Sequence, residues 1–292
     1  MLKLRVVDSH AHFFLGKYKH MISKYEKNLA RTLLLEFSED FVVEHIQRRF
    51  KSLEKFGIKV MLEGILLMPP PLKELAMTVN KDLIAIVSSL SNGLRLFPSL
   101  YMSTVNVSQI SKILGKMKAA AIKIYDEDFE HPFVIEAINQ LKLPVIFHNP
   151  FSFKDSEYSH LLRVLDKFAD MHINVQLAHI GRCYNTECLY KLSHIYRRYS
   201  NIFFDLSTVT NAKVLECAIE NFPKKVMYGS DLPYTIPYYE ASTIGSKLIL
   251  RPSNIEMYIK HFLSILDILQ RKSPITREWV LRETFFEFLN NI

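Results

Sequence analysis

The chain has 292 residues, of which 49% are hydrophobic and 23% are charged, and its formal net charge is +7. This composition is typical of a globular protein with a large core and excludes an intrinsically disordered chain. The first residues do not form a signal peptide, and no apolar run is long enough to span a membrane. A cytoplasmic protein without a membrane partner is therefore expected.

The charge distribution and the cysteines give two further expectations. Lysine and arginine alternate with acidic residues, as in KSLEKFG, so a solvated surface is favoured over a face that binds nucleic acid. The positive net charge leaves one alternative, a basic rim around a site that attracts carboxylate substrates. Cys183, Cys188 and Cys217 are an odd number in a chain too large to need disulfides, which predicts reduced thiols.

Short β-branched strands alternate with amphipathic helices along the chain. The predicted strands are LRVVD, IKVMLEGIL, LRLFPSLY, AAAIKIY, LPVIFH, INVQLAH, NIFFDLS and KKVMYGSD, and two further helices follow Pro252. Apolar character throughout a strand indicates parallel strands buried on both faces. Eight of them predict one domain over residues 1–292 of the α/β class, a (β/α)8 TIM barrel with extra C-terminal helices.

The segment Phe13–Phe37 has no strand period and follows the first strand, so we expect a loop over the mouth of the barrel. The phosphate-binding patterns G-x-G-x-x-G and G-x-x-x-x-G-K-[ST] are missing, which removes the usual nucleotide signatures.

Ionisable residues occur where the predicted strands end: His10 and His12 (first strand), His148 (fifth), His179 (sixth) and Asp231 (eighth), with Lys123 inside the fourth. The carboxyl ends of parallel barrel strands meet at one face, and residues two apart on a strand share a side. Imidazole and carboxylate ligands fit zinc, whose acidified water is a nucleophile at neutral pH.

Each of these residues also has a structural interpretation. Paired histidines occur in turns and on surfaces, His148 suits a hydrogen-bonded core position, and Asp231 suits a helix cap or turn. An apolar core gains nothing from five ionisable groups at strand ends, so together they favour a metal site.

The segments DSHAH, IKIY, VIFH, QLAHIG and YGSDLPY resemble the amidohydrolase superfamily of metal-dependent hydrolases. Their spacing is most similar to the amidohydrolase-related branch, which includes aminocarboxymuconate-semialdehyde decarboxylase. The resemblance implies that His10, His12, His148 and Asp231 ligate one divalent ion, with zinc expected and manganese as the alternative. It also implies that His179 and Asp231 are catalytic.

Several alternatives remain open at this stage. The superfamily implies a second arrangement, in which a carboxylated Lys123 bridges two metals and His179 ligates the second. Arg182 departs from the family pattern and either binds a substrate carboxylate or phosphate or is simply solvated. The expected reaction is hydrolysis of an amide, ester or lactone of a small molecule. Decarboxylation of a small acid and a binding protein on a degenerate barrel are the alternatives, and the C-terminal helices offer a homodimer surface.

Overall fold

A computed structural model describes most of the chain. The described residues are 2–13, 18, 41–90, 93–104, 107, 118–148, 155–232, 234–235, 239–244, 247–252 and 257–290. The expected Phe13–Phe37 loop lies outside them except for Phe13 and Tyr18, which are both buried.

The eight predicted strands are present, and all neighbours pair in parallel in the order of the chain. They are β1 (Leu2–His12), β2 (Ile58–Met68), β3 (Arg95–Tyr101), β4 (Ala121–Tyr125), β5 (Val145–His148), β6 (Val175–Leu177), β7 (Ile202–Asp205) and β8 (Val226–Met227). Backbone hydrogen bonds from Ser9 to Tyr228 (3.0 Å) and from His12 to Leu232 (2.6 Å) join the last strand to the first. The fold is therefore a (β/α)8 barrel.

Helices lie between and after these strands. They are α1 (Phe41–Ser52), α2 (Ala76–Ser89), α3 (Asp126–Phe129), α4 (Pro132–Leu141), α5 (Asp155–Asp170), α6 (Leu189–Arg198), α7 (Ala212–Asn221), α8 (Met257–Gln270), α9 (Pro274–Glu278) and α10 (Thr284–Leu289). A π-helical segment, Trp279–Glu283, joins α9 to α10. Within the described part of the chain no helix combines the length and apolarity that crossing a membrane requires.

The sequence did not predict the antiparallel pair formed by β9 (Tyr239–Ile244) and β10 (Lys247–Pro252). The two helices expected after Pro252 are confirmed as α8 and the segment from α9 to α10. Gly57 ends the 3-10 turn Leu53–Phe56 that follows α1, at φ 74°, a left-handed conformation that glycine adopts without strain.

Two clusters of apolar side chains separate the inside of the barrel from the outside. The larger one fills the space between the strands and the helices. The smaller one, here called the inner cluster, packs strand residues against α10; its buried members are Val7, Leu66, Met68, Ala121, Ile146, Phe203, Met227, Phe285 and Phe288. Since Phe285 and Phe288 come from the C-terminal helix, α10 closes the end of the barrel where the strands begin.

The expectation of reduced thiols is wrong for two of the three cysteines. Cys183 and Cys188 form a disulfide with their Cα atoms 5.7 Å apart, whereas Cys217 is free. The chain turns back at Thr186–Cys188, and this turn brings the two sulfur atoms together. Sequence spacing could not show that turn.

Glu63 of β2 ties the C-terminal segment to the barrel. Its carboxylate accepts hydrogen bonds from Nε of Arg5 on β1 and from Nε of Arg282 (2.6 Å). Burial by itself would raise the pKa of Glu63, but the bonds from Arg282 and Arg5 hold it below the usual 4.5.

We predict that Glu63→Gln lowers the free energy of unfolding by about 1–3 kcal/mol, because the neutral amide keeps only one acceptor oxygen for the two arginines. Urea denaturation measures the change. The matched control is Glu278→Gln, whose carboxylate is 41% exposed and lies 3.8 Å from Arg5 and 3.7 Å from Arg282. It should cost less than about 1 kcal/mol.

The difference in free energy of unfolding between wild type and Glu63→Gln should also depend on pH. A carboxylate whose pKa is lowered by folding stabilises the native state above its unfolded pKa and loses that contribution as pH falls through the folded value. The two proteins should therefore become equally stable in acid. A difference that stays constant from pH 7 to pH 3 would contradict this role of the Glu63 charge.

Candidate active site

The alternation of side chains along the strands places a polar layer above the inner cluster. Lys123, His148 and Asp205 each lie two residues after a member of that cluster, so they point into the barrel as well. His148 and Asp205 are the last residues of their strands, at the end where sites form in this fold, and Lys123 lies in the middle of β4.

His10 and His12 reach the interior through an irregularity in β1. Val7 belongs to the inner cluster, and strict alternation would turn His10, three residues later, to the outside. The pairing of β1 with β2 shifts register between Asp8 and Ala11, which is the mark of a bulge. Because of this shift, both imidazoles face the interior, and the prediction that they share one side is confirmed.

Asp231 follows β8 in a strained conformation. Its φ is 55°, and its backbone N–H donates to the carbonyl of His10 (2.6 Å). His179, two residues after the end of β6, also has a positive φ (56°). Left-handed non-glycine residues cost free energy and are concentrated at functional sites.

The ligand atoms of His10, His12 and Asp231 lie close together. His10 Nε2 is 3.3 Å from His12 Nε2 and 3.2 Å from Asp231 Oδ1, and His12 Nε2 is 3.4 Å from the same oxygen. Two ligands of a tetrahedral zinc ion are about 3.3 Å apart, given zinc bonds of about 2.0–2.2 Å to nitrogen and oxygen. The three atoms thus have the separations that zinc requires.

His179 and His148 complete the ring of imidazoles. Ligand atoms of His10, His179 and Asp231 all lie within 4.8 Å of one another, so this buried group could hold a metal ion. The ring of His148 is 5.2 Å from that of His179, centre to centre. Of the two histidines, His179 therefore stands nearer to the compact group, and the ligation expected of His148 stays a prediction.

Two residues that the sequence analysis missed support these histidines. Asp205, at the end of β7, accepts a hydrogen bond from His10 Nδ1 (3.0 Å), and Ser207 Oγ lies 2.8 Å from His179 Nδ1. Asp205 follows the same rule as the predicted residues, since it is an ionisable residue at the end of a strand. The motif IFFD carried that signal.

Burial and nearby charges set the protonation of the site. Burial would raise the pKa of Asp231, but His179 and the hydrogen bonds from His10 and His12 hold it well below its usual value. Burial lowers the pKa of His12 to about 4 and also lowers that of His179. Burial by itself would lower the pKa of His10, but the charge of Asp205 outweighs this effect, so the pKa of His10 is raised. At neutral pH the site therefore holds an ionised Asp231 beside neutral His12 and His179.

Lys123 lies fully inside the barrel. Its Nζ has no hydrogen-bond partner among the described residues and lies 5.6 Å from the centre of the Tyr125 ring. Burial lowers its pKa to about 8, against the opposing charges of Asp205 and Asp231. A two-metal site with a carboxylated Lys123 stays a prediction.

Arg182 lies outside the buried group, as an exposed side chain after the turn that carries His179. It hydrogen-bonds to Tyr184, whose hydroxyl is 3.5 Å from Thr208 Oγ1. Thr208 Oγ1 is in turn 3.3 Å from His179 Nδ1. Arg182 is thus linked to the site through Tyr184 and Thr208.

Solved structures with the same fold cover almost the whole chain. An uncharacterized TIM-barrel protein from Bordetella bronchiseptica has a TM-score of 0.62 and 13% identity, over 98% of each chain. Dihydroorotase from Campylobacter jejuni has a TM-score of 0.54 and 12% identity, over 97% of this chain and 82% of its own. The inactive dihydroorotase-like domain of a Chaetomium thermophilum CAD-like protein has a TM-score of 0.55 and 12% identity, over 97% and 78%.

At such low identity these structures show the fold alone. No curated protein sequence matches the chain. The sequence profile of a family described as Amidohydrolase matches residues 124–251, a range that includes His148, His179 and Asp231. The match covers 128 of the 292 residues and makes this part of the chain similar to that family, while the solved barrels add the fold.

The close contact between the first and last strands gives a test of the site. A Cβ atom on Gly229 would lie 2.8 Å from His10 Cβ, which must then move. We predict that Gly229→Ala costs about 1–3 kcal/mol in unfolding free energy, as overpacking does, and also weakens zinc binding. Urea denaturation and zinc titration measure the two effects.

Gly57→Ala is the matched control for this test. Gly57 has φ 74°, with nothing within 4 Å of an added Cβ, so its substitution costs about 1–2 kcal/mol through backbone strain alone. It should retain the zinc affinity of the wild type. Equal zinc affinities for the two variants would show that His10 does not depend on the space beside Gly229.

Proposed function

We propose that this protein is a metal-dependent hydrolase that cleaves an amide, ester or lactone bond in a small organic molecule. The observation that carries the proposal is the buried group of His10, His12 and Asp231, whose atoms lie 3.2–3.4 Å apart as metal ligands do, with His179 beside them. The family match and the fold support the same class of chemistry.

The residues present fit a divalent ion of the zinc type. His10, His12 and Asp231 would hold it, with His148 as the further ligand that the family resemblance implies. When bound, such an ion would lower the pKa of a water molecule and polarise a carbonyl oxygen. Nitrogen ligands suit zinc, and the carboxylate also suits manganese.

The chain's own residues supply proton acceptors. Asp231 is ionised at neutral pH, and a neutral imidazole such as His179 has one ring nitrogen that accepts a proton. Either group can take the proton of an attacking water and return it to the leaving group. The walls of the barrel exclude bulk water, which strengthens the interactions of these charges.

Decarboxylation is the alternative reaction for the same residues. It needs a group that gives a proton to the carbon atom from which carbon dioxide leaves. Asp231 is ionised and His179 is neutral, so these two groups would accept a proton, as hydrolysis requires. The donor for decarboxylation would be Lys123, whose pKa of about 8 leaves it charged at neutral pH.

Arg182 is the proposed substrate-binding residue. It is exposed beside the site and carries a charge that can pair with a substrate carboxylate. We therefore propose a small anionic substrate that extends from the buried group toward Arg182.

The metal requirement is tested by equilibrium dialysis against zinc and manganese. We predict one bound ion per chain in wild type and loss of binding in His12→Ala, because one close ligand is removed. His194→Ala is the control, since this histidine on α6 hydrogen-bonds to Tyr158 outside the site. A wild type that binds no ion, or a His12→Ala variant that binds as well as wild type, would contradict the proposal.

The reaction is tested on matched panels of lactones, aryl esters, anilides and aromatic acids. We predict that the zinc-loaded protein releases acid from members of the first three groups, measured by pH-stat titration. Release of carbon dioxide from the aromatic acids without consumption of water would instead establish the decarboxylase.

The role of Arg182 is tested with Arg182→Ala and Arg182→Lys. For an anionic substrate, the loss of a charge-assisted hydrogen bond of about 1.5–3 kcal/mol should lower kcat/KM roughly 10- to 100-fold, mainly through KM. For the neutral methyl ester of the same compound the effect should disappear. An equal loss for both compounds would remove Arg182 from substrate recognition.

A further inference from the structure

We infer that Asp205 is a positioning residue that fixes two histidines of the site at once, His10 directly and His179 through Ser207. The inference rests on the proposed function, because it concerns how the ring nitrogens are presented to a metal ion. It is carried by the hydrogen bonds around one fully buried carboxylate.

Both oxygens of Asp205 are fully occupied. Oδ2 accepts from His10 Nδ1 (3.0 Å) and from Gln176 Nε2 (2.9 Å), while Oδ1 accepts from the backbone N–H of Ser207 (3.0 Å) and from Ser207 Oγ. A carboxylate has about four lone-pair positions, and four donors fill them. The side chain thus has no alternative arrangement of its hydrogen bonds.

These contacts place a hydrogen on Nδ1 of each ring. His10 Nδ1 faces an acceptor-only carboxylate, so Nδ1 holds the proton. Ser207 Oγ has a single hydrogen, which it donates to Asp205, so Oγ can only accept from His179 Nδ1 at 2.8 Å. His179 therefore also carries its proton on Nδ1.

The consequence is that both imidazoles direct Nε2 away from Asp205. For His10 this nitrogen is the atom 3.2 Å from Asp231 Oδ1 and 3.3 Å from His12 Nε2. A ligating histidine whose other nitrogen donates to a carboxylate has a fixed tautomer, a fixed ring orientation and a more basic free nitrogen. Here one carboxylate does this for residues of two different strands.

Asp8 is the natural comparison within the site. It is equally buried, but its Oδ1 accepts from the backbone N–H groups of His10 (3.1 Å) and Ser230 (2.9 Å), and among the described residues no imidazole nitrogen bonds to it. Asn at this position keeps an acceptor oxygen for both bonds. Asp8→Asn therefore removes a buried carboxylate without touching the ring nitrogens.

The experiment combines NMR of protein carrying ¹⁵N-labelled histidine with zinc affinity, for wild type, Asp205→Asn, Ser207→Ala and Asp8→Asn. Spectra are recorded at pH 8 with and without zinc, and competition with a chromophoric chelator gives the affinity. Far-UV circular dichroism and thermal unfolding confirm that each variant is folded.

In wild type we expect hydrogen on Nδ1 of both His10 and His179. Ser207→Ala removes the nearest acceptor of His179 Nδ1 but keeps the Ser207 carbonyl at 3.3 Å, so it should weaken the Nδ1 preference of His179 alone. Asp205→Asn should change both rings and weaken zinc binding about 10- to 100-fold. Asp8→Asn should leave both tautomers unchanged.

Three outcomes would overturn the inference. They are an Nδ1 that carries no hydrogen on either ring in wild type, a Ser207→Ala variant that alters His10 as much as His179, and an Asp205→Asn variant that affects zinc no more than Asp8→Asn. The spectra without zinc keep this test separate from the proposed function. A wild type that carries hydrogen on both Nδ1 atoms but binds no zinc would refute the metal site. The role of Asp205 in positioning His10 and His179 would still hold.

Discussion

Two buried carboxylates need hydrogen bonds that offset the cost of burying their charge, and the end of the barrel where the strands finish depends on these bonds. Asp205 and Asp231 are both buried within a ring of strands, where an unpaired charge costs several kcal/mol. Each is stabilised by histidines, and Asp205 in addition by Ser207 and Gln176. The imidazoles are arranged by these bonds before any ligand arrives, which is how a site avoids reorganisation during a reaction.

The barrel divides its interior accordingly. At the end where the strands begin, apolar residues and the aromatic side chains of α10 fill the space, and Glu63 with its arginines fastens the C-terminal segment outside. At the other end, the same strand faces carry Lys123, His148 and Asp205. A rigid apolar base below a polar layer gives stability and function to opposite ends of one set of strands.

Strain is concentrated where the chemistry is proposed. Asp231 and His179 have positive φ angles in the turns that follow β8 and β6, and β1 is irregular between Asp8 and Ala11. Each departure turns a side chain toward the common space. The free energy that they cost is offset by the packed barrel, since residues of this kind persist only where the surroundings hold them.

Much of the fold and part of the site could be predicted from the sequence. The alternation of β-branched strands with amphipathic helices determined the eight-stranded barrel, because periodicity is a local property of the chain. The end-of-strand rule located His10, His12, His148, His179 and Asp231, and applied consistently it would have located Asp205. The disulfide between Cys183 and Cys188 and the β9–β10 pair were missed, since they depend on turns that lack a regular period.

The sequence by itself determined which residue types stand at the ends of the strands, and hence the class of chemistry available to the protein. Only the tertiary structure decided how those residues face one another. The bulge in β1 sets the side on which His10 and His12 lie, and the position of Asp205 between His10 and Ser207 sets the orientation of two rings. Both depend on atoms that are distant along the chain and meet only when the barrel closes.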